Sequence, residues 1–127
     1  MQKGELRKQK AENIQERTFR FACRILSLYQ YLIKKDKTNS DLFRQLVRSG
    51  TSVGANLEEA NAAQSRADFI SKCSIALKEA RETNYWLRLF QSTGIVTEGK
   101  LKDLMRESNE IISILTVIVK NSKLKKD

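Results

Sequence analysis

Cationic side chains recur along the first long amphipathic segment of the chain, between residues 14 and 35. At 100° of rotation per residue, five of them share one helix face with a tyrosine ring: Arg17, Arg20, Arg24, Tyr31, Lys34 and Lys35. We call this face the cationic ridge. Phosphate contacts require cations spaced along a surface, and an aromatic ring can stack on a base. The pattern predicts a polyanion-binding surface; the alternative is an ordinary solvated helix face.

Two further arginines, Arg44 and Arg48, lie on the predicted outer side of the second helix and could extend this basic surface. The alternative is that Arg48 pairs with a carboxylate of a neighbouring helix. On the same helix, Gly50 and Gly54 are small residues at a spacing that lets another backbone approach closely. Their alternative role is only to weaken the helix, by about 1 kcal/mol each.

Polar side chains flank the expected core faces of the second and third helices: Ser52, Asn56, Glu59, Lys72, Glu79 and Glu82. Half-buried polar groups need hydrogen-bond partners, so this set predicts a structural polar network that clamps the two helices together. The catalytic alternative makes Glu79 and Glu82 an acid/base pair. No nucleophile, set of metal ligands or phosphate-binding loop accompanies them, which disfavours catalysis.

The composition also argues against an enzyme, a metal site and a cofactor. The chain has no histidine, which removes the usual general base near neutral pH and the commonest metal ligand. Its two cysteines, Cys23 and Cys73, are far apart and form no Cys-x-x-Cys pair. We expect both to be buried, reduced, hydrophobic residues.

The 127 residues carry 24 basic and 15 acidic side chains, a net charge of +9. This excess predicts attraction to nucleic acid, the ribosome or anionic lipid. It is concentrated towards the N-terminus, and the tails 1–13 and 122–127 are basic. No apolar run approaches the ~20 residues that cross a bilayer, and the N-terminus lacks the apolar stretch of a signal peptide. We therefore expect a soluble, cytoplasmic protein with no membrane partner.

Four helices must position these side chains. Helical periodicity divides the chain into segments at about 14–35, 41–62, 66–91 and 98–121. No proline interrupts them. Ser65 and Asp68 have the spacing of a capping box, and Gly94 can adopt the left-handed conformation that ends a helix. Because the connections are short, we predict an all-α, antiparallel up-down-up-down four-helix bundle, with residues 1–127 forming one domain.

The first helix has two apolar stripes about 100° apart. The expected core stripe consists of Phe19, Ala22, Cys23, Leu26, Tyr29 and Ile33. The second stripe consists of Phe21, Ile25, Leu28 and Leu32. A helix at the corner of a monomeric bundle needs one stripe, and an apolar strip left in water would be an association site. We predict that the second stripe is an oligomer interface; the alternative is one wide stripe that sits deeper in the bundle.

Three stretches carry a family resemblance: residues 48–60, 68–72 and 76–87. They resemble the bacterial 23S rRNA intervening-sequence protein family, also called the four-helix-bundle protein family. Its members often carry Ser-x-x-x-Asn-x-x-Glu on the second helix, matched here by Ser52, Asn56 and Glu59. They then carry Ala-x-x-Glu on the third helix, matched by Ala76 and Glu79. Many members have proline at the position of Gly54 and glycine at that of Ala60.

The resemblance implies a four-helix bundle that often assembles as a ring-like homopentamer. It also implies genes that lie within insertions in bacterial 23S rRNA genes, although many relatives lie elsewhere. A related branch, the accessory proteins of diversity-generating retroelements, is a basic barrel that binds nucleic acid and a reverse transcriptase. No residue in the matched motifs performs known chemistry.

Two interpretations of function follow from these patterns. The first is a non-enzymatic, homo-oligomeric basic bundle that binds RNA or DNA through phosphate contacts with little base specificity. The second is a protein–protein interaction scaffold whose charge serves solubility and which binds no nucleic acid. In the second interpretation, the second apolar stripe and the Gly50 and Gly54 face form the working surface.

Overall fold

Four helices make up almost all of the computed structural model, which describes residues 13–125. Helix α1 spans Ile14–Lys35, α2 spans Ser40–Asn61, α3 spans Arg66–Thr93 and α4 spans Glu98–Leu124. These bounds lie within two residues of the predicted ones except at the end of α4, which continues three residues into the predicted tail 122–127. The predicted tail 1–13 lies outside the described residues except for Asn13.

Local side-chain chemistry explains where the helices begin and end. The Asn13 side chain accepts a hydrogen bond from the backbone N–H of Gln15 at the start of α1. The Ser65 hydroxyl accepts one from the backbone N–H of Asp68 at the start of α3, at 3.1 Å. Gly94 ends α3 with a φ of 73°, a left-handed conformation that glycine adopts without a Cβ clash. The predicted cap positions of α3 are confirmed.

The helices pack in ring order, so that each one contacts only its two neighbours. Helix α2 lies between α1 and α3, α4 packs on α3, and a contact between α1 and α4 closes the bundle. This confirms the predicted all-α, antiparallel up-down-up-down four-helix bundle. The α1–α4 contact is the smallest of the four, and charged side chains lie along this edge.

Large apolar side chains from all four helices fill the core. The rings of Phe43 and Phe90 meet edge to face at 5.4 Å between centroids and join α2 to α3. In α4, Ile111 is fully buried, and Ile112 lies at the edge of the core. Cys73 is buried as expected, but the expectation that Cys23 is buried is wrong, because its side of α1 faces solvent.

The second apolar stripe of α1, and not the expected core stripe, supplies its fully buried side chains. Of the expected core stripe, only Tyr29 and Ile33 are half-buried against the core. Phe21, Ile25, Leu28 and Leu32, predicted as an oligomer interface, are 0–8% exposed and belong to the core of the single chain. Phe19 and Leu26, predicted as core, are 65% and 43% exposed. The interface prediction is therefore wrong for these four residues, because a side chain that is buried within one chain cannot contact another.

A close approach between α1 and α2 explains this choice. A Cβ atom added to Gly50 would lie 2.9 Å from Ile25 Cγ2, and one added to Gly54 would lie 3.4 Å from the backbone of Thr18. Thr18 and Ile25 are both fully buried. The two glycines thus form a shallow depression on α2, and α1 turns the face of Ile25 and Thr18 into it. That rotation leaves the face of Phe19 and Leu26 outside.

Candidate nucleic-acid interface

The N-terminal part of the cationic ridge is held by carboxylates of α4. Arg17 Nε donates to Glu107 Oε2 at 3.0 Å, and its Nη2 donates to Glu107 Oε1 at 2.6 Å and to Glu110 Oε2 at 2.8 Å. The side chains of Arg17 and Glu107 are 22% and 20% exposed. The hydrogen bonds from Arg17 lower the pKa of Glu107, and the same contacts raise the pKa of Arg17. Arg17 is therefore an ion-pair partner that joins α1 to α4, and two carboxylates beside it would repel a phosphate.

The next two arginines of the ridge point outwards. Arg20 is exposed, and its charge contributes to the lowered pKa of Glu107, so it lies within the field of the α4 carboxylates. Arg24 is exposed one turn further on. None of the ion pairs among residues 13–125 involves Arg24. Its charge is available to a ligand.

The C-terminal part of the ridge meets the first turn of α4. Lys34 and Lys35 are exposed near the end of α1, and Tyr31 is 38% exposed beside them. Lys35 Nζ donates to the Tyr31 hydroxyl at 2.8 Å. Lys100 of α4 places its Nζ 4.4 Å from the centre of the same ring. The structure thus groups three predicted residues with one cation that the prediction missed.

We call the set Arg24, Tyr31, Lys34, Lys35 and Lys100 the cationic edge. Its members on α1 span the twelve residues from Arg24 to Lys35, which corresponds to about 16 Å along the helix axis. Lys100 was missed because it lies far from the ridge in sequence. The antiparallel pairing of α1 with α4 could have found it, since that pairing places the end of α1 beside the start of α4.

Arg44 and Arg48 do not extend the cationic edge as free charges. Arg44 donates to Asp41 one turn earlier on α2. Arg48 reaches across to α3, where it donates to Glu79 at 3.1 Å and also to Glu82. The hydrogen bond to Glu82, followed by the other contacts, raises the pKa of Arg48. The structure therefore shows the alternative arrangement for Arg48, a pair with carboxylates of a neighbouring helix.

The predicted polar network divides into residues that link α2 to α3 and residues that do not. Lys72 donates to Glu59 at 2.9 Å across the two helices, which raises the pKa of Lys72. Glu79 and Glu82 join α3 to α2 through Arg48. Ser52 and Asn56 instead donate to backbone carbonyls of their own helix, at 2.7 and 2.8 Å. The cross-helix links are therefore made by the charged members of the set.

Sequence reasoning did not identify Thr83, Asn84 and Ser108 as hydrogen-bonding partners between helices. Thr83 Oγ1 donates to Ser49 Oγ at 3.0 Å between α2 and α3, and both residues are fully buried. Asn84 Nδ2 donates to Ser108 Oγ at 3.2 Å and to Asn109 Oδ1 at 3.0 Å between α3 and α4. Their positions within the apolar stripes were the available signal, because a polar residue on a core face needs a partner there.

Among residues 13–125, an apolar surface is exposed beside the contact between α1 and α2. We call it the apolar flank: Phe19 and Ala22 of α1 line a groove with Thr51, Gly54 and Ala55 of α2, and the exposed Leu26 follows one turn after Ala22 on the same face of α1. The small residues of α2 leave a groove beside the Phe19 ring. Glu58 and Gln15 lie at the edge of this groove. Phe19 of the apolar flank lies on the side of α1 next to α2, whereas Tyr31 of the cationic edge lies on the side next to α4.

Residues 13–125 contain neither a candidate metal site nor a candidate membrane-spanning helix. No group of three histidine, cysteine, aspartate or glutamate side chains in this range is placed to hold a metal ion. None of the four helices is both long enough and apolar enough to cross a membrane.

Comparison with known proteins agrees with the fold and with the sequence motifs. The family model described as 23S rRNA-intervening sequence protein matches residues 10–117. A crystal structure of a protein with unknown function from the S23 ribosomal protein family of Bacteroides thetaiotaomicron VPI-5482 is 45% identical to this chain, with a TM-score of 0.79. The match covers 84% of this chain and 98% of that relative. No curated protein matches the chain. The chain belongs to the 23S rRNA-intervening sequence protein family.

Proposed function

We propose that the protein is a non-enzymatic, homo-oligomeric bundle that binds RNA or DNA through backbone phosphates. One observation carries this proposal. Arg24, Lys34, Lys35 and Lys100 of the cationic edge are all exposed, and none forms an ion pair with a carboxylate in the described part of the chain. Exposed cations that are spaced along a surface and have no carboxylate partner are what contacts with a chain of phosphates require. The name of the S23 ribosomal protein family, to which the solved relative belongs, is consistent with RNA as the partner.

The arrangement of the carboxylates supports a binding function over catalysis. Glu79 and Glu82, the candidate acid/base pair, are both engaged by Arg48, and Trp86 Nε1 also donates to Glu82 at 3.1 Å. A general base needs a carboxylate that can reach a substrate proton. These two carboxylates are instead occupied by the contact between α2 and α3.

A matched pair of triple variants tests the phosphate contacts. The first is Arg24→Gln/Lys34→Gln/Lys35→Gln on the cationic edge, and the control is Lys78→Gln/Arg81→Gln/Lys120→Gln on exposed positions of α3 and α4. Both remove three positive charges. Binding to a labelled RNA hairpin and to a DNA duplex is measured by fluorescence anisotropy over a range of salt concentrations.

We expect wild-type binding to weaken steeply with salt, since each phosphate contact adds about 0.7–0.9 to the log–log slope. The cationic-edge variant should lower that slope by about 2–3, and the control by less than about 1. The proposal fails if the wild-type protein shows no salt-sensitive binding at low ionic strength. It also fails if the two variants lose equal affinity. Binding would then depend on the net charge of the protein and not on the position of these cations.

The apolar flank supports the homo-oligomeric part of the proposal. Phe19 is 65% exposed and borders the groove on α2, and Leu26, which is 43% exposed, lies two turns further along the same face of α1. An apolar strip of this kind left in water is an association site. We assign it to a second copy of this chain. This surface replaces the second stripe as the proposed interface, and the family resemblance implies five subunits.

Light scattering tests this assignment. Leu26→Glu places a charge in the apolar flank, and Ile75→Glu is the control on α3, where the side chain is 38% exposed. We expect a wild-type mass that is a multiple of the chain mass, a single-chain mass for Leu26→Glu and the wild-type mass for Ile75→Glu. A monomeric wild type would contradict the proposal, as would equal behaviour of the two variants.

The apolar flank also favours a second candidate function, that of a protein–protein interaction scaffold. In this alternative, the groove beside Phe19 accepts a different protein. A pull-down after nuclease treatment distinguishes the candidates. A scaffold keeps its partner in the Arg24→Gln/Lys34→Gln/Lys35→Gln variant and loses it in Phe19→Glu, whereas a nucleic-acid binder retains no partner after nuclease.

A further inference from the structure

Two ammonium groups from different helices converge on one tyrosine ring at the α1–α4 edge. Lys35 Nζ donates to the Tyr31 hydroxyl at 2.8 Å and lies 4.9 Å from the ring centre. Lys100 Nζ lies 4.4 Å from the same centre. No ion pair among residues 13–125 includes either lysine. The ring therefore keeps two like charges within about 9 Å of each other, and no carboxylate in the described part of the chain forms an ion pair with either.

The donors that remain suit a phosphate oxyanion. An ammonium group has three N–H donors and no acceptor. Lys35 uses one donor on Tyr31, and Lys100 contacts the ring through a cation–π interaction. A phosphodiester has two non-bridging oxygens that share one negative charge, so each lysine can donate to one of them. Such a group would also relieve the repulsion between the two ammonium groups.

The contacts on the ring argue against stacking of a base on Tyr31. Both lysines lie over the ring within the range of a cation–π contact. A base stacked on the face that Lys100 covers would have to displace that lysine, whereas a phosphate bound by the lysines leaves both contacts intact. Positive charge at the hydroxyl is also consistent with a lowered pKa of Tyr31, caused first by the hydrogen bond from Lys35, against an opposing effect of desolvation.

We propose that Tyr31, Lys35 and Lys100 form a subsite for one backbone phosphate of a nucleic acid, in which Tyr31 positions the two lysines and does not stack on a base. This inference rests on the proposed function, since it names the contact within the same surface. It needs both helices, because α1 supplies Tyr31 and Lys35 and α4 supplies Lys100. Lys100 is thereby a binding residue that the cationic ridge of α1 does not contain.

The test compares a single-stranded DNA oligonucleotide with an abasic strand of the same length, which carries the same phosphates and no bases. Lys100→Gln is compared with Lys102→Gln, an exposed lysine two residues away on α4. Tyr31→Leu removes the ring that positions the lysines. Anisotropy over a range of salt concentrations measures the affinity and the salt slope for each protein and strand.

We expect the wild-type protein to bind the two strands within about threefold of each other, because phosphates supply the contacts. Lys100→Gln should weaken both strands alike and lower the salt slope by about 1, and Lys102→Gln should leave the slope unchanged. Tyr31→Leu should weaken both strands equally. With ¹³C-tyrosine labelling, the abasic strand should shift the Tyr31 Cζ resonance, and Lys100→Gln should reduce that shift.

Three results would overturn the inference. In the first, the strand with bases binds at least about tenfold more tightly than the abasic strand, and Tyr31→Leu removes this difference. Tyr31 would then be a residue on which a base stacks. In the second, Lys100→Gln and Lys102→Gln behave alike. In the third, neither strand binds the wild-type protein and no RNA or duplex does either, which rejects the proposed function and this subsite with it.

Discussion

The two glycines of α2 provide a matched pair of substitutions with different expected outcomes. Both lie inside one helix and face α1, so the gain in helix propensity on substitution by alanine is the same, about 1 kcal/mol. They differ in the space available. A Cβ at Gly50 would lie 2.9, 3.1 and 3.3 Å from three atoms of Ile25, whereas a Cβ at Gly54 would lie 3.4 Å from its nearest neighbours.

The magnitudes follow from this difference in contact distance. Ile25 is fully buried and β-branched, so its side chain has little freedom to move away. Overpacking of this kind costs about 1–3 kcal/mol. Gly50→Ala should therefore lose up to about 2 kcal/mol of unfolding free energy after the propensity gain, and Gly54→Ala should gain up to about 1 kcal/mol. The two variants should differ by about 1–3 kcal/mol.

Urea unfolding followed by circular dichroism measures these free energies, at one fixed protein concentration because oligomerisation contributes to stability. Ile25→Leu provides the control, since leucine has no second branch at Cβ and conserves the volume of the side chain. In the Ile25→Leu background, Gly50→Ala should destabilise less than it does in the wild type, because the 2.9 Å contact with Cγ2 is removed. Equal stabilities of Gly50→Ala and Gly54→Ala would refute the reasoning that this contact selects the buried face of α1.

Three further predictions concern two side chains that bond to another helix, Arg17 and Asn84, and one buried thiol, Cys73. Arg17→Gln should lower the free energy of unfolding by about 1–2 kcal/mol at pH 7. Because Arg17 lowers the pKa of Glu107 below its ordinary value of 4.5, this contribution is present above that pH and lost as the pH falls through the lower folded value. The difference between wild type and variant in urea unfolding should therefore shrink below about pH 4.5, and a difference that stays constant down to pH 2 would contradict this. Asn84→Ala should lower the free energy of unfolding by about 1–3 kcal/mol, because Ser108 and Asn109 lose their donor from another helix. Asn56→Ala is the control in the same assay. It loses only a bond to its own helix and should lower that free energy by less than about 0.5 kcal/mol. In a Cys23→Ser background, Cys73 should react with a thiol reagent only as fast as the chain unfolds, because Cys73 is 1% exposed and burial raises its pKa. Rapid labelling of the native protein at neutral pH would contradict this prediction and show that the core opens.

The positions of the exposed cations on α1 were predictable from the sequence. Which of the predicted cations form ion pairs with other helices was not. Arg24, Lys34 and Lys35 lie on one exposed face because helical periodicity places them there. Whether a cation is free depends instead on carboxylates of other helices. Arg17 meets Glu107 across 90 residues of sequence, and Arg48 meets Glu82 across 34. Such pairs depend on how the helices lie against one another, which periodicity within one helix does not contain.

The sequence by itself determined the number of helices, their limits and their antiparallel order. Those features depend on local properties: apolar spacing within each segment, the Ser65 cap, and a glycine at position 94 that adopts a φ of 73°. Only the tertiary structure decided which stripe of α1 entered the core. Both stripes are apolar, so hydrophobicity alone does not distinguish them, and the decision came from the fit of Ile25 and Thr18 against the small residues of α2. The same rotation left Phe19 and Leu26 in solvent, and with them the surface on which oligomerisation is proposed.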